Sequence, residues 1–125
     1  MSIDVSWFNE EKSFVLWKFT DPWTVVDYME AAQHTLSISR QENVSHFDII
    51  SDLTESVTAP PDIIRVMKTI HQKASDRYGV TYIYGESVFV RHLIETMNRM
   101  PALKDSFIFV QTLEELNQRI FNTKP

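Results

Sequence analysis

The chain has 125 residues, two glycines, no cysteine and a net charge of −5, a length that fits one domain over residues 1–125 with a sizeable core. Without cysteine there is no disulfide framework, thiolate zinc site or cysteine nucleophile, and two glycines are too few for a Walker or dinucleotide loop. The acidic balance argues against a general nucleic-acid binder, which needs a basic footprint.

Ile3, Val5 and Trp7 alternate with Asp4, Ser6 and Phe8, which predicts a half-buried strand. A polar turn, Asn9-Glu10-Glu11-Lys12, leads to Ser13–Phe19. That run is apolar on both parities, so it reads as a strand covered on both faces and paired with the first as a hairpin. Asp21-Pro22-Trp23 predicts a helix start, with the aspartate as cap and proline at the first helical position. Val25, Met29, Ala32 and Leu36 then form one apolar stripe, ending near Arg40. Trp23 projects away from this stripe, with Ile38 on the same outer side, which makes both candidate interface residues, although Trp23 at the helix start fits equally well folded over the preceding loop.

His46–Leu53 reads as the third strand, and a polar connection follows it. The second helix is expected from Pro61, with Ile63, Met67, Ile70, Ala74 and Tyr78 on its buried face. Gly79 stands where a helix-ending glycine belongs. Val80–Tyr84 is the fourth strand, and Gly85-Glu86-Ser87 turns into a third helix with Phe89, Val90, Leu93, Ile94 and Met97 as its core face. Pro101 ends that helix, and Ser106–Val110 is the fifth strand. Thr112 and Glu115 make a capping box for a last helix lined by Leu113, Leu116 and Ile120. The order is β-β-α-β-α-β-α-β-α. It predicts an α/β fold with a five-stranded, mostly parallel sheet and an antiparallel edge hairpin.

This order, the strand exit Asp52-Leu53-Thr54 and the Thr112-Leu113-Glu114-Glu115 helix start resemble the STAS-like family, the anti-sigma-factor antagonist type included. The resemblance runs over nearly the whole chain and implies a non-enzymatic regulatory or protein-interaction module. Antagonist-type members carry a phosphorylated serine in an Asp-Ser-Ser-Gly segment after the third strand. Here the region is Asp52 to Pro61, without glycine, and Ser56 and Thr58 are the candidate phospho-acceptors. The related CRAL-TRIO lipid-transfer domains imply an alternative, a small apolar ligand or lipid held beside the sheet.

Ligands of open α/β sheets bind beyond the carboxyl ends of the strands. A ligand or partner site is therefore expected among Asp52, Thr54, Glu55, Ser56, Thr58, Glu86, Ser87 and Gln111, with Gly85 and Thr112 at the same strand ends. Asp52 and Glu55 are a candidate acid/base or cation-holding pair. No catalytic constellation is recognisable, no cofactor is implied, and His34, His46, His71 and His92 share no metal-ligand spacing. Arg65, Lys68, Lys73 and Arg77 form a basic half of the second helix, a candidate face for an acidic partner. Strands two and five, apolar on both parities, suggest a homodimer unless helices cover both faces. No apolar run exceeds four residues and the first residues lack a signal-peptide pattern, so no membrane span and a cytoplasmic location are expected. Residues 1–62 hold eleven acids and three bases (−8), and residues 63–125 hold six acids and nine bases (+3).

Overall fold

The computed structural model describes residues 2–74, 76–85, 87–101, 103 and 106–123, the last three by backbone alone. It has the predicted order: β1 (Ile3–Trp7), β2 (Phe14–Thr20), α1 (Val25–Gln41), β3 (Phe47–Glu55), α2 (Ile63–Lys73), β4 (Tyr78–Tyr84), α3 (Val88–Asn98), β5 (Phe107–Val110) and α4 (Leu113–Thr123). The strands lie in one sheet in the order β1-β2-β3-β4-β5. β1 is antiparallel to β2, and the other three pairings are parallel.

Each crossover steps one strand in the same direction, so right-handed connections put α1, α2 and α3 on one face. The core bears this out. Tyr28 and Ala32 of α1, Met67 of α2 and Leu93 of α3 share a cluster with Val15, Trp17, Ile49 and Ile83 of the sheet. Leu116 and Ile120 of α4 join Phe14, Ile50, Tyr82 and Val110 on the opposite face. β5 is thus covered on both faces by helices of its own chain, so its two apolar parities need no second subunit.

Three elements depart from the sequence reading. α1 starts at Val25, not at Asp21. Thr24 is the N-cap, and its hydroxyl accepts from the Asp27 N–H while the Asp27 carboxylate accepts from the Thr24 N–H. Asp21–Pro22 is a cis peptide in the loop before it. The buried face of α1 is Tyr28, Ala31, Ala32, Thr35 and Ser39, and Met29 is exposed. Small residues let this helix lie close to the sheet, and hydrogen bonds make its polar groups compatible with burial. The Thr35 hydroxyl donates to the Ala31 carbonyl and accepts from the Trp17 indole N–H, both at 2.8 Å.

α2 stops at Lys73 with Ala74 as its C-cap, so Tyr78 and Gly79 belong to β4. Gly79 is needed for a close approach rather than a helix end. A Cβ there would overlap the Asp48 carboxylate, which accepts the Val80 N–H at 2.8 Å beside a register shift in the β3–β4 ladder. In α4 the predicted core residue Leu113 is exposed, while Leu116 and Ile120 are buried as expected.

Candidate functional site

β2 to β5 run parallel, so the segments after them all leave from one end of the sheet. After β4 the chain passes to α3 on one face, and after β5 it passes to α4 on the other. That divergence opens a crevice, as at the switch points of open α/β sheets. A cleft of about 340 Å³ lies there. Leu53, Thr54, Tyr84 and Ser87 form part of its wall, and Gln111, Thr112 and Leu113 complete it.

Local chemistry fixes this wall. Ser87 is the N-cap of α3, its hydroxyl accepting from the Val90 N–H at 3.2 Å. Thr112 caps α4 by accepting from the Glu115 N–H, and Glu115 accepts from the Gln111 N–H, both at 3.1 Å. The Thr54 hydroxyl donates to Asp52 at 2.6 Å, and the Thr54 N–H donates to the same oxygen at 2.9 Å. The described lining side chains are thus hydroxyl, amide, phenol and aliphatic groups, with no formal charge among them.

Three residues expected at the strand ends, Thr54, Ser87 and Gln111, meet in this cleft. Asp52 and Glu55 do not act as a pair. Asp52 is engaged with Thr54, and Glu55 forms an ion pair with Lys18 at 3.2 Å, which raises the Lys18 pKa. Glu86 lies outside the described residues. Thr112, expected after the fifth strand, also lines the cleft, whereas Tyr84, Leu113 and Leu53 were missed as site residues. For Tyr84 the signal was present, because it ends β4.

Ser56 is completely buried, which removes it as an accessible phospho-acceptor, whereas Thr58 is exposed. The Ser56 hydroxyl donates to Asp21 and accepts from the Trp23 indole N–H, each at 2.8 Å, and Asp21 also accepts the Val57 N–H at 2.8 Å. This network ties the β3–α2 loop to the β2–α1 loop. Trp23 is therefore a core residue, 7% exposed and edge-on to Phe19, rather than an outward interface residue. Ile38 is half-buried against the same core. Its projection was referred to the Val25-Met29-Ala32-Leu36 stripe, whereas α1 buries the neighbouring face of Ala31 and Thr35, on which Ile38 lies; Trp23 sits in the loop before α1.

The apolar pocket beside the sheet, lined by Phe19, Trp23, Ile63, Phe89 and Leu93 among others, has about 10 Å³ of free volume. That is marginal for one water and far below a lipid chain. The apolar-ligand expectation therefore lacks the room it requires.

Six large hydrophobic side chains are exposed among the described residues. Five of them, Val26, Met29, Val57, Val88 and Leu113, stand at the carboxyl end of the parallel strands with exposures from 48% to 82%. Val26 and Met29 lie in the first two turns of α1, Val57 follows β3, and Val88 and Leu113 open α3 and α4. Phe8 is at the opposite end, in the β1–β2 turn. Among the described residues no helix is long and apolar enough to cross a membrane, and no group of three or more His, Asp or Glu is placed to hold a metal ion. No protein-family model and no curated protein matches the sequence.

Proposed function

We propose that the chain is a non-enzymatic, STAS-like protein-interaction module of the cytoplasm, with its docking surface on the carboxyl rim of β2–β5. One observation carries this reading: the gathering of Val26, Met29, Val57, Val88 and Leu113 on that rim. Scattered surface hydrophobics are ordinary, but their concentration at one end of a small domain is the mark of an interaction surface. Adjacent strands are about 4.8 Å apart, so the exits of β2 to β5 span roughly 14 Å, the scale of one helix or strand of a partner. The cleft at one end of this row offers a pocket for an anchoring side chain. The element order and the Asp52-Leu53-Thr54 strand exit support the family resemblance. The surface suits a second copy of the chain as well as another protein, and sizing at several concentrations separates these two occupants.

The test compares three immobilised proteins in extract of the native cell: wild type, a Val57→Ser/Val88→Ser/Leu113→Ser variant, and Phe8→Ser. The expected outcome is a specific protein held by wild type and Phe8→Ser and lost from the triple variant. An identical retained set on all three would contradict the docking surface.

A further inference from the structure

The interior beneath α2 holds polar groups that the rim does not use. Tyr78 is 6% exposed, and its hydroxyl has no hydrogen-bond partner among the described residues. Buried hydroxyls in native interiors are paired with protein or with ordered water. A cavity of about 10 Å³ adjoins this residue, at the lower bound for a single water, and unlike the apolar pocket it has several polar groups in its lining.

The polar groups around that cavity come from four elements. Ser51 of β3 and Thr81 of β4 are buried residues with hydroxyls. His71 of α2 lies edge-on to the ring of Tyr78 and tilted against that of Phe107, with centroids 6.3 and 5.4 Å apart. Tyr28 of α1 brings a second phenol. Trp17 also lines the cavity, but its indole N–H is already given to Thr35. Burial lowers the His71 pKa, which favours the neutral ring with its one acceptor nitrogen. A buried water needs two to four polar partners, and the lining supplies that number.

We propose that this cavity is a binding site for one structural water, held by the Tyr78 hydroxyl together with polar groups of Ser51, Thr81 or His71. Through Ser51 the water ties β4 to β3, and through His71 it ties β4 to α2. It gives Tyr78 the partner that no described residue provides.

A crystal structure of the full chain at a resolution that shows ordered solvent tests this directly. One solvent peak is expected about 2.7–3.2 Å from the Tyr78 Oη and from at least one polar atom of Ser51, Thr81 or His71. Tyr78→Phe gives an independent sign. Loss of a water-linked hydroxyl lowers Tm by about 3 °C, whereas loss of an unpaired one raises it. Density without a solvent peak at Tyr78 overturns the proposal, as does a Tyr78→Phe protein whose Tm is unchanged or higher. Should that variant fail to fold, the wild-type crystal structure alone decides.

Discussion

Ser56 illustrates how one hydroxyl can be mistaken for a modification site. Its position after β3 is where an antagonist-type switch would lie, yet it joins Asp21 and Trp23 inside the loop junction. Ser56→Ala leaves the buried indole N–H without its acceptor, so a loss of about 1–3 kcal/mol in urea unfolding is expected. Asp48 and Gly79 form a second coupled pair. Gly79→Ala displaces the Asp48 carboxylate from the Val80 N–H, and about 1–3 kcal/mol is expected to go with that bond. In an Asp48→Ala background the same glycine change should cost clearly less, which a double-mutant cycle measures. His71 gives a pH signature. Burial lowers its folded-state pKa, so the unfolded chain binds the proton more readily. Its contribution to stability is full above the unfolded value of about 6.5 and is lost as pH falls below it. His71→Gln should flatten the change in urea midpoint between about pH 7 and 5, above the range where carboxylates dominate. For Trp23 the packed alternative holds and the interface one does not, because a helical wheel has no meaning for a residue in the loop before the helix.

Among the elements, order and type were legible throughout. Apolar alternation marked β1, the capping residues marked α3 and α4, and the strict α/β alternation implied a parallel sheet. The orientation of α1 was not. Val25, Met29, Ala32 and Leu36 form the more apolar stripe, but the sheet takes the neighbouring face of Tyr28, Ala31, Ala32, Thr35 and Ser39. Hydrophobicity ranks threonine and serine as outward, whereas the Trp17 indole and nearby carbonyls satisfy them inside. Thr35→Val keeps the shape and removes the acceptor. It should therefore destabilise by about 1–3 kcal/mol and alter the Trp17 environment in near-ultraviolet circular dichroism. Tyr78 and Gly79 were misassigned for a related reason. A tyrosine in phase with the α2 stripe also fits the first position of a buried strand, and the glycine beside it serves a contact across strands that local spacing does not encode.

For the whole molecule, strand order equals chain order. The +3 of residues 63–125 is concentrated on α2 and the turn after it, between β3 and β4, where Arg65, Lys68, Lys73 and Arg77 stand against one acid, Asp76. Such a field can orient an approaching partner. The same topology brings the exits of β2–β5 to one end, which made Thr54, Ser87 and Gln111 legible as cleft residues before any coordinates. The apolar rim was not legible, because Leu113 and Met29 fall in register with core stripes and only packing shows them exposed. Because its side chains lie in solvent, the Val57→Ser/Val88→Ser/Leu113→Ser variant should keep its urea midpoint, each exposed change altering stability by within about 0.5 kcal/mol. Binding lost by that variant would then reflect the surface and not the fold. The most direct measurement is a heteronuclear NMR titration of the isotope-labelled chain with the protein captured through the rim. Shift changes confined to Val26, Met29, Val57, Val88, Leu113 and the cleft residues are expected. Changes centred on Phe8 and the β1–β2 turn, or on the outer face of α2, would contradict a docking surface at the carboxyl ends of the strands.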